Sequence, residues 1–222
     1  MNSMKLSHYQ ILAHLFEYPD SGFKKKVSEV RALLHEHYPE TKKNIDQFYN
    51  FLPEDLESLE ELFTRSFDVQ SVTTLDVGYI LFGDDYKRGE LLSNLNREHA
   101  KYANNCGSEL ADHLPNLLRL ISKLDDEDLV NDMVQEILAP ALKKMMAEFD
   151  PVRIKEKKKM YKKHYKTLIE PPKADPLLYF NTLKVLDIVI RTDFSIIDKN
   201  QSNETVDFLR CLGNELVIES KT

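Results

Sequence analysis

Apolar positions along the chain recur three and four residues apart, and stop signals separate the runs. Leu6, Tyr9, Leu12, Leu15 and Phe16 make the first stripe, stopped by Tyr18-Pro19-Asp20. Phe23, Val27, Val30 and Leu34 make the second, ended by Tyr38-Pro39. Ile45, Phe48 and Leu52 mark a short third helix. Pro53 opens a fourth, with Glu54 and Asp55 in its first turn against the positive helix end and Leu56, Leu59, Leu62, Phe63 and Phe67 along one face.

Residues 67–115 differ from their flanks. Gly78, Gly83 and Gly89 sit in or beside helix-like patterns, where each glycine costs about 1 kcal/mol relative to alanine. Polar groups there fall at turns and helix starts, where side chains and backbone N–H groups are presented. The apolar run 75–82, broken by Gly78 and ended by Gly83-Asp84-Asp85, has no sheet to join and reads as a helix or irregular turn. A long helix over 86–102 follows, with Leu91, Leu92, Leu95, His99 and Tyr102 on one side, broken by Asn104-Asn105-Cys106-Gly107. Asp112 stands where an N-cap belongs, before Leu114, Leu117, Leu118, Ile121 and Leu124. Asp125 and Asp126 cap the next helix, which carries Leu129, Met133, Ile137, Leu142, Met145 and Phe149 and which Pro140 should kink or split.

Residues 153–166 then carry eight Lys or Arg against one Glu, without a continuous apolar stripe. They read as an exposed basic segment. Asp175 caps a further helix over 177–190, and the tail from Asp193 has weak periodicity and reads as mobile. The expectation is an all-α, single-domain helical bundle. Residues 1–150 form its core, and 151–222 supply the basic segment and C-terminal helices of the same domain.

Composition narrows the function classes. A length of 222 residues with 42% hydrophobic residues is enough for a real core, and 6 glycines with 9 prolines are too few for a turn-rich sandwich or barrel. A net charge of −7 argues against general nucleic-acid binding and favours cationic partners. No apolar run approaches the roughly 18 residues of a membrane span. The opening residues lack a signal-peptide pattern, and Cys106 and Cys211 lie far apart without C-x-x-C, so a soluble, cytoplasmic chain is expected.

Most site chemistry finds no support. There is no phosphate-binding glycine loop, no H-E-x-x-H and no G-x-S-x-G; His35 and His37, two apart, point in different directions on a helix. No metal and no cofactor is expected. The segment Glu109-Leu110-Ala111-Asp112-His113-Leu114-Pro115 stands out. Capping explains Asp112 and Pro115 but not Glu109 and His113. A carboxylate, a helix start and an imidazole together can hold a cationic or hydrogen-bonding peptide. The alternative is a nucleotide- or Mg²⁺-binding helical protein whose oxygen ligands are Asp84, Asp85, Glu109 and Asp112.

At these residues the sequence resembles the respiratory nitrate reductase assembly chaperones (the delta subunit family), within the redox-enzyme maturation chaperones of molybdoenzymes. The matching pieces are L-x-x-L-F-x-Y-P-D at residues 12–20, Phe67-Asp68, Thr74-Leu75, Gly83, Arg88-Gly89 and E-L-x-D-H-L-P, covering residues 6–150 in order. Ala111 departs from the proline common in the family, and the C-terminal third matches poorly. The resemblance implies an all-helical fold without catalysis. It implies binding of the N-terminal leader of an apo catalytic subunit, of nitrate reductase or nitrite oxidoreductase type, until its molybdenum cofactor and iron–sulfur clusters are inserted. It places Glu109, Asp112 and His113 in the peptide site, with Phe67, Asp68, Leu75, Leu81, Phe82, Asp84, Asp85 and Arg88 near it. Such a leader, cationic at one end and apolar in the middle, calls for an apolar groove rimmed with acids. Leu75, Ile80, Leu81 and Phe82 are the candidate lining, or else simply core. A monomer and a homodimer are equally compatible with the sequence.

Overall fold

The computed structural model describes residues 6–164 and 175–196, and every regular element in them is helical. Eleven α-helices follow in order: α1 (His8–Leu12), α2 (Phe23–His37), α3 (Lys42–Phe51), α4 (Leu56–Phe67), α5 (Val77–Phe82), α6 (Tyr86–Lys101), α7 (Leu114–Ile121), α8 (Glu127–Asp132), α9 (Ala139–Ala147), α10 (Pro151–His164) and α11 (Phe180–Phe194). Short 3-10 turns extend α1 to Phe16 and lead into α3 and α11. The all-α expectation holds among the described residues. Among the described residues no helix is long and apolar enough to cross a membrane.

The predicted stripes become one buried cluster. Tyr9, Leu12 and Phe16, then Val27, Val30 and Leu34, then Ile45 and Phe48, face the same interior as Leu91, Leu117, Leu142 and Val189. At its middle lies α11, against α3 on one side and α9 on the other, while α2 packs on α3 and α1 on α7. Tyr179, at the entry to α11, sits among the rings of Phe48, Phe63 and Phe67, with centroids 5.2, 5.9 and 4.7 Å away. Helix α11 thus belongs to the core, and the turn that leads into it backs the α4 aromatics.

Several local expectations change. Asp55 is not inside the first turn of α4 but is its N-cap, accepting from the Ser58 amide at 2.9 Å. Around Pro140 the helical run changes type rather than ending: α8 passes into α9 through a π-helical turn at Met133–Leu138, and Pro140 falls in the first turn of α9. The wider turn ahead of Pro140 relieves the clash its ring would make with the preceding carbonyl. Asp126 caps α8 as expected, accepting from the Leu129 amide, whereas Asp125 accepts from the Tyr102 hydroxyl. Asp175 caps the turn before α11.

Asp193 is not the start of a mobile tail. Its carboxylate accepts from Tyr9 and Tyr38 hydroxyls and from His8 Nε2, each at 2.9 Å, tying the end of α11 to α1 and α2. Burial, then the charge of Asp193, pushes both tyrosine hydroxyls well above their ordinary pKa. Tail residues 197–222, including Cys211, and residues 165–166 of the basic segment lie outside the described residues.

Candidate functional site

The chain just before α5 is extended at Asp76, where it meets the chain entering α7 in an antiparallel bridge, Asp76 with His113. The Leu114 amide donates to Leu75 O at 2.9 Å, and the Val77 amide donates to Asp112 O at 3.0 Å. This pairing explains why Asp112 is not a cap. At the start of α7 the Leu114 amide is already satisfied by Leu75, and Pro115 has no amide to offer. His113 occupies the cap position without a side-chain capping bond to the helix, and the Asp112 carboxylate turns the other way.

Asp112 is 0% exposed, so it presents no charge to a ligand; this corrects its expected role as a contact. Its Oδ2 accepts from the Gly78 amide and from Arg88 Nε, each at 3.1 Å. Desolvation raises its pKa, and the Arg88 hydrogen bond works against that rise. A Cβ at Gly78 would stand 2.6 Å from Oδ2, so the glycine is required by close approach. Gly83 has φ +63°, which accounts for the turn after α5. Nothing in the structure explains Gly89, whose surroundings are open.

Arg88 continues the network to the surface. Its Nη2 donates to Asp76 Oδ2 at 3.0 Å, and His113 Nδ1 lies 3.2 Å from Asp76 Oδ1. A carboxylate only accepts, so Nδ1 carries the proton. The His113 hydrogen bond, helped by the charge of Arg88, holds the Asp76 carboxyl below its ordinary range. Glu109 Oε2 lies 3.9 Å from the same His113 nitrogen.

Five of the predicted residues, Phe67, Asp68, Leu75, Glu109 and His113, line one cavity of about 330 Å³. Its apolar surface comes from Phe16, Phe63, Phe67, Leu75 and Pro115. Tyr18, 55% exposed, stands edge-on to Phe63 with ring centroids 5.4 Å apart. Four carboxylates, Glu17, Asp68, Asp76 and Glu109, border it against one guanidinium, Arg119. Two of the four are neutralised: Arg88 and His113 hold Asp76, and Arg119 Nη1 donates to Glu17 Oε1 at 2.6 Å. Asp68 and Glu109 remain. Asp68 forms no hydrogen bond or ion pair through its carboxylate with any described residue, and Glu109 has only the distant His113. A cavity this size lies at the small end of the usual range of about 300–1,000 Å³, room for an anchoring side chain or two rather than a whole helix.

The other predicted residues divide. Arg88 and Asp112 brace the Asp76 wall without lining the cavity. Leu81 and Phe82 are half-buried against the core, and Ile80 faces a different cavity; of the four groove candidates only Leu75 lines this one. Asp84 and Asp85 are exposed at the turn into α6, where Asp85 caps through the Lys87 amide at 3.0 Å. The four acids of the Mg²⁺ alternative therefore do not assemble, and among the described residues no group of three or more His, Cys, Asp or Glu is placed to hold a metal ion.

Glu17, Tyr18, Asp76 and Arg119 were missed by the sequence reading. No local signal separates Tyr18 from Tyr38: both stand beside a proline at a helix stop, yet Tyr38 is buried and Tyr18 is exposed. The loop 102–113 that presents Glu109 is stapled from within. His99 Nε2 donates to Ala111 O at 3.0 Å, and Asn104 Nδ2 donates to His99 Nδ1 at 2.9 Å and to Asn116 O at 3.0 Å. Burial lowers the His99 pKa, as suits a neutral ring using one nitrogen in each role. Burial also raises the Cys106 thiol, so it is not an activated nucleophile. Comparison with protein-family models and with curated proteins finds no match to this chain.

Proposed function

We propose that this chain is a system-specific assembly chaperone. It binds the N-terminal leader of an apo molybdoenzyme catalytic subunit, of the nitrate reductase or nitrite oxidoreductase type, and holds it while molybdenum cofactor and iron–sulfur clusters are inserted. The observation that carries the reading is the 330 Å³ cavity, apolar in its floor and bordered by the two unneutralised carboxylates of Asp68 and Glu109. Buried rings backed by Tyr179 receive an apolar anchor of the leader, and the carboxylates receive its cationic end. The resemblance of residues 12–20, 67–68, 74–75 and 109–115 to the nitrate reductase assembly chaperones supports the same reading, because these pieces, distant in sequence, meet around one cavity. Nothing in the proposal asks the chain to catalyse a reaction or to hold a cofactor of its own.

The test is calorimetric titration with a synthetic leader peptide, cationic at its start and apolar in its middle, at low and at high salt. A single site is expected, weakened by salt through its charged half only. A peptide of the same composition in scrambled order is the control. Equal affinity for the two peptides, or no binding by either, defeats the proposal.

A further inference from the structure

A second cavity, of about 550 Å³, shares Thr74 with the first and faces the basic helix that the proposed function leaves unused. Lys144 of α9 and Arg153 and Lys157 of α10 line it, with Glu148 as its single carboxylate. Glu148 pairs with Arg153 at 2.5 Å and with Lys157 at 2.9 Å. Lys157 Nζ also donates to Val72 O at 2.5 Å, and Lys144 Nζ donates to Leu81 O at 3.2 Å. These contacts fix the three cations in place without exhausting them. Each ammonium has three N–H groups and the guanidinium five, so donors remain at every one, and one carboxylate leaves two positive charges uncompensated. A chain with net charge −7 thus concentrates positive charge on one concave surface.

The second, independent observation is Thr73. This residue lines the same cavity and is only 4% exposed, and its hydroxyl is buried with no hydrogen-bond partner. Buried hydroxyls are almost always paired, and one left open beside an excess of cations fits an acceptor supplied by a ligand. We propose that this cavity binds a phosphate-class oxyanion, either free phosphate or the phosphoryl end of a small phosphomonoester. Arg153, Lys157 and Lys144 supply the charge, and Thr73 supplies a neutral donor. Tyr79, 45% exposed on the same wall, lies beside any body the phosphoryl group carries. The inference does not depend on the chaperone reading, since the two cavities have different linings.

Inorganic phosphate and glycerol phosphate are titrated separately into the full chain at constant ionic strength made up with sodium chloride. One saturable site is expected for both. Equal affinities mean the site reads the oxyanion alone, and tighter monoester binding means it also reads the body. Lys144→Gln and Arg153→Gln, both at exposed positions, each weaken binding about tenfold. Thr73→Val, which changes no charge, weakens it by about threefold while its unliganded melting temperature holds or rises. The inference is overturned if no saturable binding develops by about 10 mM ligand. It is equally overturned if binding is indifferent to all three substitutions, which would put the anion elsewhere.

Discussion

The amide of Gly78 donates to Asp112 Oδ2 at 3.1 Å, and a Cβ built on Gly78 would stand 2.6 Å from that same oxygen. The two residues are 34 positions apart, and each restricts the other. Gly78→Ala should therefore destabilise the fold by about 1–3 kcal/mol through overpacking. Asp112→Ala, which strips the Gly78 amide and Arg88 Nε of their acceptor, should cost about 3 kcal/mol. Asp112→Asn should fall between the parent and the alanine variant. Its amide oxygen can take both hydrogen bonds of Oδ2, but it loses the charge and puts an N–H₂ group where Oδ1 is already buried without a partner. Urea unfolding with an unchanged m-value is the measurement. An alanine variant as stable as the parent would show that this buried pairing does not hold the α5–α7 junction.

His99 makes stability depend on pH. Its folded pKa is lowered from the ordinary 6.5, so the unfolded chain takes up the proton more readily. Its contribution is fully present above 6.5 and is lost as pH falls from there toward the folded value. The slope from this one group is at most about 1.4 kcal/mol per pH unit. Asp76, lowered chiefly by its His113 hydrogen bond, contributes stability above its ordinary 3.8 that disappears only at still lower pH, so the two are separable. His99→Gln should flatten the dependence just below pH 6.5, measured as midpoint against pH for both proteins.

The all-helical architecture was legible because each stripe is a local pattern: Val27, Val30 and Leu34 need only their own spacing to declare a buried face. What stayed hidden is non-local. Asp112 before His113-Leu114-Pro115 reads locally as a cap; Pro115 has no amide to be capped, and the distant Leu75 carbonyl, by taking the Leu114 amide, removes the remaining need for one. Glu17 and Arg119 meet across 102 positions, so no window of sequence shows that one neutralises the other. Leu75 could be placed at the site, whereas Leu81 and Phe82, in the same apolar run, turn toward the core because α5 packs on α9. Asp193 failed for the same reason: its neighbours in sequence are weakly patterned, and its partners are at residues 8, 9 and 38.

That anchoring carries its own prediction. Asp193→Ala leaves the Tyr9 and Tyr38 hydroxyls without their shared acceptor, in a junction joining α1, α2 and α11. A loss of about 3 kcal/mol is expected, seen as a lowered midpoint in urea. A chain ending before this residue should be destabilised to the same degree or more.

Neutralising Lys155, Lys157 and Lys159 together should leave leader-peptide affinity within about threefold, well under the factor of ten that 1.4 kcal/mol represents. None of the three lines the acid-rimmed cavity. A tenfold loss would place the peptide along α10 instead.

The sharpest separation concerns Asp68 and Glu109 against Asp112. Asp68 ends α4, where a negative charge opposes the helix dipole, so Asp68→Asn should hold or slightly raise the melting temperature. Glu109, exposed on its loop, caps no helix, and Glu109→Gln should be equally neutral for stability. Both should weaken the leader, by about threefold each at low salt, and the double variant by about the product, since the two charges sit on separate elements. High salt should shrink those losses toward nothing. Tyr18→Ala removes an apolar contact at the mouth, so its loss should persist in salt. Asp112→Asn should do the reverse of Asp68→Asn, lowering stability while the folded fraction binds nearly as the parent does. Calorimetry at two salt concentrations beside urea melts of the same samples reads all four. If Asp112→Asn proves the variant that loses affinity at full stability, and Asp68→Asn and Glu109→Gln bind as the parent does, the cationic end of the leader lies away from this rim.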